Sequence, residues 1–584
     1  MPLSQSGPMP RRFSIPLALA WVILLTAVTG VPPVRADDPP ALLTDPFLQR
    51  PDPDSTEVAW FTEFEGDAHY VLVGDGVAEA DVRGAVHHGA PGVRVYAAET
   101  IRLSRIAEDA DSKWPRKPAT GIAARDVYRH HARVFVPAGI REPYRVVSMR
   151  GDQLVASDTF TVRGPFVPGE PAVIMLTSDH QLMINTPANL EFAARTISEQ
   201  LGPIDAVFMP GDLVNVPDRA SEWFDDERGS SFFPAMQGRG GRKATDGNVY
   251  RGGQILQHAP IFTAIGNHEV QGRRDGHTSL TDSFNNPVPG AVAADGFNTT
   301  SYEEIFALPR SEPGGERYYA TTVGDIRLVS LFATRIWRED KAEPDPATRD
   351  ETTRYHEAVA DLDDPLAQGH GEFIFEDLSV GSPQYEWLRQ ELSSPEFRDA
   401  RYTVVMLHEG PQSLGENALP PFAPPQRIEE HDDRGELVGI RYEYPASENI
   451  LLRDLVPLLE NAGVDLVHNG HSHLWNRFVS AGGVHYLEAS NTGNSYGAFL
   501  PVSGKVRPVP PRPWNADNYR AQGNPGGLAP VMPTVAPLPG LPYVADNNFV
   551  VFQALHTGTG TITSWYVDMA NSAAGPVKFD EFRL

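Results

Sequence analysis

His471 and His473 stand one residue apart, just after Asn469-Gly470 at the end of the apolar run Val464 to Val467. Two imidazoles at the tip of a buried strand suit a metal ion, although a lone His-x-His is equally a pair of loop histidines. The same design recurs upstream. Val173 to Leu176 leads to Asp179, Ala206 to Met209 leads to Gly211-Asp212, and Ile261 to Ile265 leads to Gly266-Asn267-His268-Glu269. Tyr402 to Leu407 then ends in His408. Two carboxylates, one amide and three or four imidazoles, each at a strand end, suit two cations that share a carboxylate. Cations about 3.5–4 Å apart clamp the attacking and leaving oxygens of an in-line phosphoryl displacement and generate hydroxide near neutral pH. Gly211, Gly266 and Gly470, directly before the ligands, permit tight turns and close backbone approach to an anion.

The elements that must carry these residues read as α/β from Ala172 onward. Continuous apolar runs alternate with helical spacing, as in Asn189 to Leu201, which is the pattern of buried strands with helices over them. Sites in such folds lie beyond the C-terminal ends of the strands. Insertions at about 215–258, 270–315, 338–380 and 410–447 lack periodicity and read as functional loops or lids. Pro501 to Tyr543 is rich in Pro and Gly and reads as an extended surface loop. Asn548 to Ala554 and Thr561 to Met569 read as closing strands. Residues 37–165 differ: short alternating runs, such as Thr56 to Phe61, His69 to Val73 and Val127 to Val136, predict an all-β sandwich packed beside the catalytic part. Gly164 to Gly169 reads as the linker, so the expected division is 1–36, 37–165 and 170–584.

Composition bounds the partners. Forty-nine Lys and Arg against 76 Asp and Glu give a net charge of −27 over 584 residues, which argues against a nucleic-acid-binding surface. A small phosphorylated substrate is still admissible, because a bound metal supplies local positive charge. The chain has no Cys, so disulfides and thiolate zinc sites are excluded and any metal is held by oxygen and nitrogen, which admits Fe, Zn, Mn or Ca. Arg11-Arg12, an apolar run from Ile15 to about Val28 and Val34-Arg35-Ala36 have the layout of a cleavable signal peptide. The run is shorter than the ~20 residues of a membrane span. The expectation is export to the periplasm or beyond, with no span after cleavage.

Taken together, Asp179, Gly211-Asp212, Gly266-Asn267-His268-Glu269, His408 and Gly470-His471-Ser472-His473 resemble the ordered motifs of the calcineurin-like metallophosphoesterase superfamily. Asp45-Pro46-Phe47-Leu48-Gln49, Thr56 to Phe61 and His130-His131-Ala132-Arg133-Val134 resemble the domain that precedes the catalytic domain in purple acid phosphatases. Tyr318-Tyr319 and Gln384 to Leu388 also match that group. The resemblance implies a four-layer α/β/β/α catalytic domain after a fibronectin- or immunoglobulin-like sandwich, and hydrolysis of phosphate monoesters by a metal-bound hydroxide. It makes Asp212 the bridging carboxylate. Asn267, His408 and His471 complete one site, and Asp179 and His473 serve the other. His268 and Asn267 face the substrate phosphate, with His268 as the catalytic residue.

Two positions depart from the pattern. Gln181 stands where many members have a histidine, and Asn215 where purple acid phosphatases have the tyrosine whose phenolate on ferric iron gives their colour. Gln181 and Asn215 are therefore candidate substitute ligands, the first site is expected to hold metal more weakly, and no purple colour is expected. A phosphodiesterase or nucleotide-cleaving enzyme, and a binding protein for phosphorylated ligands without turnover, are the alternatives. Among other residues, His180 is expected to point away from the metals. Glu269, Glu409 and Trp475 line the pocket or support it. Arg335 is either a phosphate contact at the rim or a surface ion pair. His356, His370, His431 and His485 read as ordinary histidines, and Asp361 to Asp364 as solvated surface.

Overall fold

The computed structural model describes residues 39–584 apart from 51, 53, 271, 274–275, 286–297, 338–355, 358–372, 416–420, 501–503, 505–511, 513–514, 519–525 and 535–539. The leader, the acidic Asp361 to Asp364, His370 and most of the Pro- and Gly-rich stretch lie outside the described residues.

Two sheets stacked face to face form the centre of the molecule. The first runs in the order Ile261–Ala264, Ala206–Pro210, Val173–Leu176, Phe549–His556, Thr561–Asp568, Val577–Arg583. Its first three strands are parallel and the rest antiparallel. The second runs Tyr319–Val323, Ile326–Ser330, Tyr402–Glu409, Leu466–Gly470, His485–Ala489, Trp475–Val479, Tyr543–Val544. Its four middle members, from Ile326–Ser330 to His485–Ala489, are parallel.

Side-chain alternation explains why these strands are apolar throughout. Leu328, Val404, Met406 and Leu466 point inward and share one core with Ile174, Phe208 and Phe262 of the first sheet. Their neighbours Val329, Val405, Leu407 and Val467 point outward into a second core under Leu388, Phe397, Leu455 and Leu459, which belong to helical segments. The helix Thr186–Gln200, with Pro187 in its first turn, covers the opposite face. There Asn189 Nδ2 donates to the Val551 carbonyl at 2.9 Å. The layers are thus helix, sheet, sheet, helix, and both sheets are mixed rather than purely parallel.

Two sequence readings change on contact with the fold. The insertion 215–258 carries the helices Ala220–Phe224 and Phe232–Met236. Their Phe224 and Phe233 pack against Phe61, with ring centroids 4.9 and 5.2 Å away, and Phe47 lies 4.8 Å from Phe233. The insertion 410–447 contains the hairpin Gln426–His431 with Leu437–Glu443. Helices of five residues show no periodicity, because their partners are distant in sequence.

Most of the N-terminal strands form two antiparallel sheets that share a core around Trp60, Val71, Val134, Tyr144 and Val146, and Ala107–Asp109 pairs separately with Ile122–Ala124. Every residue of Thr56–Thr62 is buried. Val58 and Trp60 face that core, while Ala59 and Phe61 face the other way into the core of the first large sheet. Burial of each such Phe contributes about 1.5–3 kcal/mol, so these strands and the two large sheets stabilise each other. No helix among the described residues is long and apolar enough to cross a membrane.

Candidate metal centre

Six of the residues singled out in the sequence converge at the C-terminal ends of the parallel strands. Ligand atoms of Asp212, His408 and His471 lie within 4.8 Å of one another, and so do those of Asp179, Asp212 and His473. Asp212 belongs to both groups. Its Oδ2 is 3.2 Å from His408 Nε2. Asn267 Oδ1 lies 3.0 Å from that same nitrogen and 2.9 Å from His471 Nδ1, and the two ring nitrogens are 3.2 Å apart. In the second group His473 Nε2 is 3.3 Å from Asp179 Oδ1.

The far side of two rings fixes their tautomers. His408 Nδ1 donates to the Pro210 carbonyl at 2.6 Å, and His473 Nδ1 donates to the Asn494 carbonyl at 3.1 Å. In each neutral ring the Nε2 lone pair therefore faces oxygen lone pairs, a repulsive arrangement that a cation relieves. At His408, in the protein alone, a proton takes that role. Burial pulls the His408 pKa down, but the Asp212 carboxylate and the hydrogen bond to it raise it well above the ordinary 6.5. Burial likewise opposes ionisation of Asp212, and His408, then His268, overcome this to hold it below its ordinary value. The donor set therefore fits two cations held by oxygen and nitrogen, and metal uptake expels protons.

The backbone is strained where it presents these groups. Among the described residues the non-glycine positions with positive φ are Asp179, Gln181, Leu182, Asp212, His471 and His473. All but Leu182 are candidate ligands, with Gln181 the substitute one. Such conformations cost roughly 1–3 kcal/mol each and persist where the surroundings over-determine them. Two buried glutamates help do so. Glu269 accepts from the Asp212, Gly266 and Leu213 backbone N–H groups at 2.8–2.9 Å. Glu488 accepts from the Ser472 N–H at 2.8 Å, between the two histidines, and from Ser413, Ser490 and Asn476. Burial raises both carboxyls to about 8, with Asp212 adding to the effect at Glu269. At Gly470 a Cβ would lie 2.2 Å from Ser178 Oγ and 2.3 Å from Asp179 Oδ2. Close packing of the ligand itself, rather than an approaching anion, requires glycine there.

The departures are placed as follows. Gln181 Nε2 donates to Asp212 Oδ2 at 2.9 Å, while its Oε1 is buried without a hydrogen-bond partner among the described residues. Asn215 Nδ2 donates to the Gln181 carbonyl at 2.8 Å. Its own carbonyl accepts from His268 Nδ1 at 2.8 Å, which directs His268 Nε2 to 3.9 Å from Asp212 Oδ2. The His180 ring meets Thr177 Oγ1 and Phe232 and joins neither donor group. Glu409 is buried, with the Thr334 hydroxyl donating to it. Trp475 is core, edge-on to Phe579 at 4.6 Å. His356 lies in a short strand paired with Leu437–Glu443, His431 is exposed beside Glu429, and His485 stacks on Phe582. Arg335 and Arg317 line a 570 Å³ cavity with Thr299, Thr300 and Glu303.

Sequence reading missed three features of the site. A buried chain of contacts ties the N-terminal strands to His268. Asp109 accepts from Arg219 Nη2 at 2.9 Å, and Arg219 Nη1 donates to Glu222 at 3.0 Å. Glu222 accepts from the Asn215 N–H at 2.7 Å, and Asn215 holds His268. Glu488 was missed as well, since it sits in a strand interior with no motif around it. The third feature is aromatic: Trp337 packs on His268 and Tyr496 on His473.

No protein-family model matches this chain, and no curated protein matches it. Solved structures do. The purple acid phosphatase from yellow lupin (Lupinus luteus) seeds aligns over 93% of this chain and 74% of its own, with a TM-score of 0.51 and 14% identity. The anchor in the inner membrane complex of Plasmodium aligns over 71% of this chain and 90% of its own at 12% identity, with a TM-score of 0.30, too low to carry weight. At 14% identity the likeness shows the fold alone: the stacked mixed sheets of this chain share the fold of the lupin protein. At its strand ends that fold holds buried Asp and His groups fit for a dinuclear metal site.

Proposed function

We propose that this chain is a metal-dependent phosphoesterase that hydrolyses phosphate monoesters. The observation that carries the reading is the pair of donor groups sharing Asp212. When bound, two cations supply positive charge to the phosphoryl oxygens and bring the pKa of bound water towards neutrality. Asp212 would bridge them, with Asn267, His408 and His471 completing one site and Asp179 and His473 serving the other. A half-turn of the Gln181 amide offers its buried Oε1 as a neutral further ligand. His268, held by Asn215 through Nδ1, keeps Nε2 for the substrate. As an imidazolium it donates to a phosphoryl oxygen or protonates the departing alkoxide, with Asn267 beside it on the phosphate side.

The fold likeness to an acid phosphatase and the paired N-terminal sheets support a monoesterase. The reading includes a sandwich domain ending near residue 165, and export by the leader at 1–36; the N-terminal sequence of the mature protein tests the latter. With Asn215 at the position of the tyrosine that gives purple acid phosphatases their colour, no purple colour is expected.

The test is the metal content of natively purified protein, with phosphomonoester turnover on the same sample. About two ions per chain with turnover supports the proposal. Two bound ions without turnover on mono- or diesters, or turnover that persists in Asp212→Ala, overturns it.

A further inference from the structure

His268 donates through Nδ1 to the Asn215 carbonyl at 2.8 Å. That bond makes Nε2 the nitrogen that faces the centre, 3.9 Å from Asp212 Oδ2. The peptide unit that owns this carbonyl has the Val216 N–H at its other end. The Val216 N–H donates to Glu222 Oε2 at 3.0 Å, and the Asn215 N–H donates to the same oxygen at 2.7 Å. A trans peptide is planar, with its C=O and N–H pointing in opposite directions. Glu222 and His268 therefore grip the two ends of one rigid plate. A rotation of the plate that breaks the bond to Glu222 also swings the carbonyl off Nδ1. A carboxylate on the N–H polarises the carbonyl as well, and so strengthens it as an acceptor.

Glu222 is itself fixed. Its Oε1 accepts from Arg219 Nη1 at 3.0 Å. Arg219 Nη2 donates to Asp109 Oδ2 at 2.9 Å and to Thr281 Oγ1 at 2.8 Å. Asp109 ends the strand Ala107–Asp109 of the N-terminal part and also accepts from Ser112 and the Leu280 N–H. All three charged side chains are buried. Burial opposes the charge on Arg219, and Glu222 and then Asp109 overcome it and raise its pKa. Three buried charges are a poor route to stability, because desolvation offsets their attraction. What they do supply is a fixed oxygen behind the peptide that holds His268.

Resting on the reading of His268 as the catalytic residue of a phosphoesterase, we propose that Glu222 is a positioning residue for His268, acting through the Asn215–Val216 peptide. Arg219 and Asp109 extend this hold into the N-terminal strands, so the N-terminal part serves turnover as well as packing.

The experiment is a double-mutant cycle on the metal-loaded full chain with phenyl phosphate: parent, Glu222→Gln, His268→Ala and both together. Glu222→Gln keeps the shape and one acceptor oxygen but removes the charge and sets an amide against Arg219. It is expected to lower kcat by about ten-fold or more with metal content unchanged. On the His268→Ala background it should lower kcat by less than about two-fold, because the ring it positions is gone. Equal losses on both backgrounds, a fall that tracks lost metal, or a Glu222→Gln variant with the parent's kcat overturns the inference and leaves the phosphoesterase reading intact. A His268→Ala variant with the parent's kcat overturns it too. Asp109→Asn leaves Glu222 in place and weakens only its support. It goes through the same cycle, with a loss of about three-fold expected only where His268 is present, and it decides the matter if Glu222→Gln does not fold. Absence of turnover in the parent on mono- and diesters, with both metals bound, overturns the phosphoesterase reading and this inference with it.

Discussion

Two groups of buried histidines in this molecule have opposite electrostatic settings. In the N-terminal sheets His69 and His130 stack with centroids 3.5 Å apart. Hydroxyls serve their nitrogens: Ser148 at His69, Thr62 and Thr100 at His130. Burial, then the neighbouring His69, lowers His130 to about 2, and burial also lowers His69. At the strand ends His408 is equally buried, yet Asp212 raises its pKa. Burial by itself makes a neutral structural imidazole. Carboxylates at 3.2–3.3 Å, on backbone forced to positive φ, make a cation site.

Removing the shared carboxylate should erase the distinction, with the largest effect. Asp212→Asn is expected to lower turnover by about 10³-fold or more, since several kcal/mol of charge stabilisation go with the metals. Elemental analysis should show the ions lost while the N-terminal sheets stay folded; retained metal and turnover would place the centre elsewhere.

Acid should act on the other group. The folded pKa of His130 is about 2 against an ordinary 6.5, so the unfolded chain binds a proton over that interval and the native chain does not. Its contribution is present in full above pH 6.5 and is lost as pH falls towards 2. By pH 4 the loss is about 3 kcal/mol. Denaturant midpoints from pH 7 to 4 should fall less steeply in His130→Gln than in the parent, and identical slopes would rule the stacked pair out.

Two smaller changes sharpen the comparison within the centre. Glu488→Gln removes one acceptor oxygen behind Ser472 and should weaken metal binding by about 10–100-fold, visible in chelator competition. Gln181→His supplies an imidazole where an amide now meets Asp212. It should tighten metal binding by about ten-fold, a gain of about 1.4 kcal/mol. Unchanged affinity would mean that position 181 does not face the cation.

Much of this organisation was legible in the chain. Val173–Leu176 lies as the run predicts, and Asp212, Asn267, His408, His471 and His473 meet as their strand-end positions imply. The hydrogen bond from Asn215 Nδ2 to the Gln181 carbonyl was not legible, because it depends on how two loops meet. The short helices of 215–258 were invisible because aromatic packing against Phe47 and Phe61, rather than periodicity, holds them.

The sequence by itself determined the alternation of apolar runs, the absence of thiolate ligands and which residue types end each strand. These follow from local rules of side-chain direction and donor chemistry. Tertiary structure alone decided that Glu269 and Glu488 brace the strained turns, and that Asp109 reaches His268 through Arg219. It also decided that Trp337 and Tyr496 flank the centre. The physical reason is distance along the chain: the His471 N–H meets Asp179 across 292 residues. Only the stacking of two sheets on a shared core brings such pairs within 3 Å or so.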